Sequence, residues 1–439
     1  MTKSEMLKRI DEAADRNYDY IKKVAADTLM MPELGFKEFK TSQYVKNEFI
    51  KANVLKKENI GITGLRAELG SGDTNICVMG ELDAIVCKNH PYSDKESGAA
   101  HACGHNGQLT VMLGVLKTLQ DSGVMESLDG KVSFFAVPAE ELIELDYREE
   151  LKKDGKIKYL SGKQEFINNG EFDDVDVCMM IHAQDGEEKS SAYVGGSCLG
   201  MITKSVVFHG KAAHAGGAPH KGINALNAAM LSMINMHVSR ETYRDEDKVR
   251  IHPIITKGGD VVNSVPHEVI MSNVVRAYNR PALDDVNDKA DRAVLAACIS
   301  TGASANIKNS ACYLPMMQDE QLTEMFCEYA SEYIPEERIY KGRDMFGSSD
   351  VGDVCHILPT IQPTIGGTVG SAHCDDFMLN DLEASLLIPV KIISKMCVEL
   401  LLDSGKKAKQ IKEEFVPVFT KEEYIKFMDE LLNEKSYGK

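Results

Sequence analysis

Three stretches of this chain run apolar and then stop at a side chain able to bind a metal. Asn75-Ile-Cys-Val-Met-Gly-Glu-Leu-Asp83 ends in an acid, Lys131-Val-Ser-Phe-Phe-Ala-Val-Pro-Ala-Glu-Glu141 in two, and Asp174-Val-Asp-Val-Cys-Met-Met-Ile-His182 in an imidazole. Short apolar runs of this kind read as buried strands of an open α/β sheet. Ligand sites of such sheets gather at the carboxyl ends of the strands, where residues distant in sequence become neighbours. Between the first two runs lies His101-Ala-Cys-Gly-His105, a thiol and an imidazole separated by one glycine. The pattern predicts a sheet with a metal centre at one edge.

At 439 residues the chain exceeds one ordinary core, so two domains are expected. Its hydrophobic content of 43% and charged content of 27% are those of a soluble globular protein. A formal charge of −17 argues against nucleic acid or an anionic membrane as partner, since both require a basic surface. The start is amphipathic and charged, unlike a signal peptide. Ala384 to Leu402 is the most membrane-like stretch, but Lys391 and Lys395 interrupt it and make it a core helix instead. Eleven cysteines without framework spacing point to reduced thiols and a cytoplasmic protein.

Helical spacing of Leu7, Ile10, Ala14, Tyr18, Ile21 and Val24 predicts a helical N-terminal stretch to about Ala52. Strands and helices then alternate to residue 197. Gln108 to Leu119 is a helix with a broad apolar face, placing Cys103 and His105 at its N-terminus, where the dipole favours a thiolate. The charge-rich residues 142–165 read as a surface excursion. From 198 to 314 the texture changes: strands at 201–208, 249–257, 268–278 and 307–314 alternate with helices at 223–238 and 285–300. Two β-α-β halves predict an α+β ferredoxin-like domain inserted into the larger one, which comprises 1–197 and 315–439.

Several residues carry the chemistry. Cys103 and His105 beside strand-end acids suit metal ligation; a cysteine nucleophile with a histidine base is the rival reading. Of Glu140 and Glu141, one carboxylate could ligate while the other takes a proton from the attacking water, and spacing does not say which. His182 and His373 bring the candidate ligands to five, too many for one open tetrahedral site and enough for two ions sharing a ligand. Such a thiol, imidazole and carboxylate set suits zinc or a similar divalent ion. In the inserted domain, His214 lies in a glycine-rich turn, Asn263 opens Asn263-Ser-Val-Pro266, and Arg276 suits a substrate carboxylate.

With these residues in place, the chain resembles the dinuclear metallo-peptidases of the aminoacylase and glutamate carboxypeptidase type. It is most similar to their amidohydrolase branch, which includes aminobenzoyl-glutamate hydrolase B-type proteins. The motifs are Gly80-Glu-Leu-Asp-Ala84, His101-Ala-Cys-Gly-His-Asn106, Pro138-Ala-Glu-Glu141, Gly210-Lys-Ala-Ala-His-Ala215, Asn263-Ser-Val-Pro266, Ser348-Ser-Asp-Val-Gly-Asp353 and Ser371-Ala-His373. The resemblance implies an exopeptidase-like catalytic domain with an open, mostly parallel sheet flanked by helices, and an inserted lid domain that forms a homodimer. It implies Cys103, His105, Glu141, His182 and His373 as ligands of two divalent ions, zinc or manganese. It also implies Glu140 as general base and Asp83 as the acid holding a ligand or the base in place. His214 would stabilise the oxyanion, reaching across to the partner subunit's site, with Asn263 and Arg276 holding the substrate.

The expected reaction is hydrolysis of an amide in a small molecule with a free carboxylate: a dipeptide, an N-acyl amino acid or an aminobenzoyl-glutamate-like compound. A metal-independent cysteine amidase and a non-catalytic binding protein are the alternatives. Three departures stand out. Glu81 replaces a histidine ligand found in other branches, Asn106 stands where many amidohydrolases have Asp, and Glu141 is followed by Leu-Ile rather than glycines.

Overall fold

The computed structural model describes residues 1–438, and these divide into two compact units. The first opens with three helices, α1 (Lys3–Arg16), α2 (Tyr18–Leu29) and α3 (Phe39–Lys51), in keeping with the predicted helical start. Thr2 and Glu5 form a reciprocal capping box that sets where α1 begins.

Strands β1 (Leu55–Ile60), β2 (Gly64–Ser71) and β3 (Asn75–Glu81) lead to helix α4 (His105–Ser122) and strand β4 (Gly130–Val137). Helices α5 (Leu145–Lys153) and α6 (Gly162–Asn168) precede strand β5 (Val177–Met179). The second unit contributes β6 (Gly200–His209), α7 (Ala225–Val238), β7 (Arg250–Lys257), β8 (Glu268–Ala277), α8 (Arg280–Thr301) and β9 (Ser304–Tyr313). The chain then supplies β10 (Thr360–Ile361), the helical segment α9 (Ile388–Glu414), which breaks at Leu402–Gly405, and β11 (Glu434–Tyr437).

The six-stranded sheet of the first unit has the order β1-β2-β4-β3-β5-β10. β4, β3, β5 and β10 are parallel to one another, while β1 and β2 form an antiparallel edge. Every residue of β3 is buried, as a strand with covered faces requires. One face packs Ile76, Val78, Phe134 and Ala136 into a core shared with α1, α2, α4 and α9. On the other, Phe135 meets Phe166 of α6 at 5.5 Å and Phe172 at 5.3 Å.

The sheet of the second unit is antiparallel throughout, in the order β7-β8-β6-β9-β11. Its first four strands and two helices follow a β-α-β-β-α-β path, which is the predicted ferredoxin-like arrangement. Strict alternation of burial along β8 shows one covered and one open face.

Two expectations are corrected. Residues 142–165 are not a surface excursion: Arg148, Tyr159, Leu160 and Lys163 are fully buried, because the segment's apolar residues pack down and its charges find internal partners. The C-terminal stretch from Phe419 does not stay with the first unit, nor does Met345–Gly352. β11 adds to the edge of β9 with Ala305 opposite Tyr437, and Lys435 pairs with Asp291 at 2.8 Å. Among the described residues no helix is long and apolar enough to cross a membrane. Lys395, inside the apolar 384–402 stretch, is buried between Asp11 and Glu332 at 2.9 and 2.7 Å.

Candidate metal centre

Strand β3 delivers two buried acids, Glu81 as its last residue and Asp83 just beyond. The His101–Gly104 turn then leads into α4, whose first residue is His105. Gly104 has φ +84°, and a Cβ there would lie 2.8 Å from the Ala183 side chain, so only glycine fits this corner. After β4 the backbone turns left-handed at Ala139, φ +56°, and presents Glu140 and Glu141. His373 also has positive φ, +65°, with its N–H donated to the Ala102 carbonyl at 2.7 Å. Two non-glycine residues held this way mark a site over-determined by its surroundings.

The side chains converge. Cys103, His105 and His182 each place a donor atom within 4.8 Å of the others, and Cys103, Glu141 and His373 do the same. Cys103 belongs to both sets. Its Sγ lies 3.6 Å from His182 Nε2, and the His105 and His182 rings meet edge to face at 5.9 Å. A third set within the same 4.8 Å limit joins Glu81, His105 and Glu140.

Asp83 sits behind them. Its carbonyl and Oδ1 lie 3.0 and 3.2 Å from His105 Nδ1, and its Oδ2 accepts the Glu141 N–H at 2.9 Å. Such a carboxylate fixes the proton on Nδ1 and leaves Nε2 as the donor atom. Two atoms of the cluster are buried without a hydrogen bond, His105 Nε2 and Glu141 Oε1. Their ionic neighbours are Glu81 Oε2 at 3.0 Å and His373 Nε2 at 3.1 Å. The donor set therefore fits divalent cations, which would satisfy both atoms.

The electrostatics agree. Burial opposes charge on His105, yet Glu81, Cys103 and Asp83 outweigh it and hold the imidazole well above its usual range. Burial alone would raise Glu141, but His373 and His105 hold it below the usual carboxylate range. His373 is raised by Glu141 beside it, while burial lowers His182. The Cys103 thiol is pushed well up by burial and by Glu141. This corrects the expectation of a dipole-stabilised thiolate at the start of α4: burial dominates, and the thiolate needs a cation beside it. A bound divalent ion deprotonates a coordinating thiol outright.

The supporting residues escaped the sequence reading. Arg148, buried over the Phe36 ring, donates to the carbonyls of Ala139 at 3.1 Å, Leu160 at 2.7 Å and Glu141. Glu38 accepts the Ala139 N–H at 2.8 Å and the Thr63 hydroxyl at 2.7 Å. Burial and the nearby Asp83 push Glu38 up to about 8. Lys163 and Gln108 hold Glu81, whose pKa falls to about 2 because Lys163 and His105 overcome its burial. The signal for Arg148 and Lys163 was present: Leu151, Tyr159, Leu160, Phe166 and Ile167 interleave the charges of that segment.

The second unit places His214 next to Asn263. Residues 214 and 264 form a β-bridge, and Ala215 donates to the Asn263 carbonyl at 2.9 Å. The N–H groups of Gly216 and Gly217 donate to His214 Nδ1 at 3.2 and 3.0 Å, which puts the ring proton on the exposed Nε2. Arg276 is elsewhere. His209 pairs with Glu268 at one end of β8 and Met201 with Arg276 at the other, about 26 Å away at strand rise. The Arg276 guanidinium donates to Ser348 Oγ at 2.5 Å, has no carboxylate partner among the described residues, and is lowered by burial.

Comparison with known proteins places these features in context. Residues 77–398 match the sequence pattern of Peptidase family M20/M25/M40. The chain is 28% identical to mouse Xaa-Arg dipeptidase, over 83% of this chain and 79% of that one. It is 26% identical to one of the subunits of p-aminobenzoyl-glutamate hydrolase from Escherichia coli K12, over 79% of this chain and 66% of that one. A dinuclear metal-binding peptidase of the M20 family from Bacillus subtilis shares the fold with a TM-score of 0.66 at 18% identity, covering 88% of this chain and 99% of that one.

Proposed function

Because the chain belongs to peptidase family M20/M25/M40, we propose that its buried donor cluster holds two divalent ions, zinc or manganese, and serves hydrolysis of the amide bond in a dipeptide or N-acyl amino acid. The carrying observation is the pair of three-residue donor sets that share Cys103. Cys103, His105 and His182 would hold one ion, and Cys103, Glu141 and His373 the other. When bound, such ions polarise the scissile carbonyl and lower the pKa of water.

The chain's own residues do the rest. Glu140, grouped with His105 and Glu81, takes a proton from the attacking water and passes it to the leaving amine. Asp83 fixes the His105 tautomer and the Glu141 backbone. His214 offers Nε2–H to the tetrahedral oxyanion, with Asn263 beside it holding the substrate's carbonyl end. Arg276, without a carboxylate of its own, is assigned to the substrate carboxylate. Dipeptides, named for the mouse relative, and aminobenzoyl-glutamate, named for the bacterial one, both offer such a group.

A homodimer fits this assignment. One small substrate cannot touch both ends of β8, so His214 and Arg276 of one copy serve different substrates. Exposed Met230, Leu231, Ile234 and Val238 on α7, with Ile254 on β7, support a subunit contact through this unit. Eleven free cysteines support a reducing, cytoplasmic setting. The cysteine-nucleophile reading is weaker, because the Cys103 thiol is pushed up rather than down.

The test is metal analysis joined to chelation and restoration of activity on a panel of dipeptides, N-acyl amino acids and aminobenzoyl-glutamate. Glu140→Gln is expected to keep both ions and the fold while turnover falls about 1,000-fold. Near-normal turnover would remove Glu140 as base, and chelator-resistant turnover would remove the metal reading.

A further inference from the structure

The ligand assignment above leaves Glu81 unused, although it is held on every side. Glu81 and Lys163 are both buried to 0% exposure. Lys163 donates to Oε1, Gln108 Nε2 donates to Oε2 at 2.8 Å, and the Glu81 N–H donates to Gln108 Oε1 at 3.3 Å. A carboxylate oxygen has room for two partners. Oε2 lies 3.0 Å from His105 Nε2, the buried atom that lacks a hydrogen bond. Two donors bound to one ion at about 2.1 Å stand roughly 3.0–3.4 Å apart, so the Glu81–His105 separation is that of two ligands of one ion.

We propose that Glu81 is a further metal ligand, its Oε2 joining the coordination of the ion held by His105, its neighbour in the third donor set, and that Lys163 is the positioning residue restricting it to one oxygen. This rests on the dinuclear reading above. A buried ammonium is costly unless paired, so Lys163 is no neutral filler. It adds a cation where Glu81 adds an anion, and the centre gains a donor atom without gaining net charge. Without Lys163, Oε1 is released, the carboxylate grips the ion through both oxygens, and an uncompensated charge stands beside Glu140.

Glu81→Gln alone strands the buried ammonium, so the informative variant is E81Q/K163M, which removes both charges together. Titration of the chelated protein with Co²⁺, followed by visible absorption and calorimetry, reads the ion sites without turnover. In the double variant one of the two ions is expected to bind at least ~10-fold more weakly, with an altered visible spectrum. Lys163→Met alone is expected to lose that ion to a chelator more slowly than the natural chain. A folded double variant with unchanged affinity and spectrum would make the pair a structural ion pair only. Should the double variant not fold, a crystal structure of the natural protein loaded with Co²⁺ decides. Glu81 Oε2 within about 2.3 Å of an ion supports the assignment, and a distance beyond about 3 Å overturns it. A natural chain that binds no ion at all removes the dinuclear reading itself, so the two failures are distinguishable.

Discussion

The two units bury charge for different ends. In the first, Glu38, Glu81, Asp83, Arg148 and Lys163 are all inaccessible, and each touches the centre or the turns that carry it. In the second, buried Lys204 joins Asp291 and Asn309, Lys435 reaches the same Asp291, and the result pins β11 to the sheet. Buried ion pairs contribute little net stability but are costly to break. Where they surround donor atoms they fix geometry; where they tie a terminal strand they fix only topology. Removing a buried cation from the first network should therefore cost activity and stability together, and from the second stability alone.

Arg148 offers the largest contrast. Arg148→Met leaves the buried Ala139 and Leu160 carbonyls without their donor and that of Glu141 with only the Ile143 N–H, an expected loss of about 4 kcal/mol, and frees the turn that carries Glu140 and Glu141. Displacement of that turn should lower turnover about 100-fold in whatever fraction stays folded. Denaturant melts and activity per folded molecule check the two effects separately; a folded variant with normal turnover would deny Arg148 its role. Lys204→Met should cost less, about 3 kcal/mol, since Lys435 still partners Asp291. Hydrogen exchange should locate the loss in residues 200–313 and 434–437, with ion content and turnover per folded molecule unchanged. A drop in ion content would erase the distinction between the units.

The same contrast explains what the sequence disclosed. The second unit has strict two-residue alternation along β8 and helices of ordinary length, so periodicity alone yields its β-α-β-β-α-β path. What periodicity missed there was β11, Glu-Lys-Ser-Tyr, which has no apolar pattern and is a strand only because β9 offers an open edge. In the first unit the strand ends and the Cys103-Gly-His105 turn were legible, since each donor follows an apolar run or a glycine. Arg148 and Lys163 were marked only by the apolar residues interleaved with their charges, a weak sign because a charge-rich segment looks solvated until its partners are known. Glu81 was visible only as a departure from a histidine. Its partner lies 82 positions away, on α6.

Glu38 gives a test read in stability alone. Its pKa is pushed up to about 8 by burial and by Asp83, against an ordinary 4.5. Between those values the folded chain keeps a proton that the unfolded chain has released, so Glu38 makes stability fall as pH rises through the window. Its contribution is neutral below 4.5 and most unfavourable above about 8. Glu38→Gln keeps an oxygen to accept the Ala139 N–H and removes the titration. The chelated variant should match the natural chain in urea at about pH 5 and exceed it at about pH 8. Taking the difference between the two proteins cancels every other titrating group outside this contact. Parallel pH profiles would mean that Glu38 stays ionised, with its charge balanced inside the centre rather than by a proton.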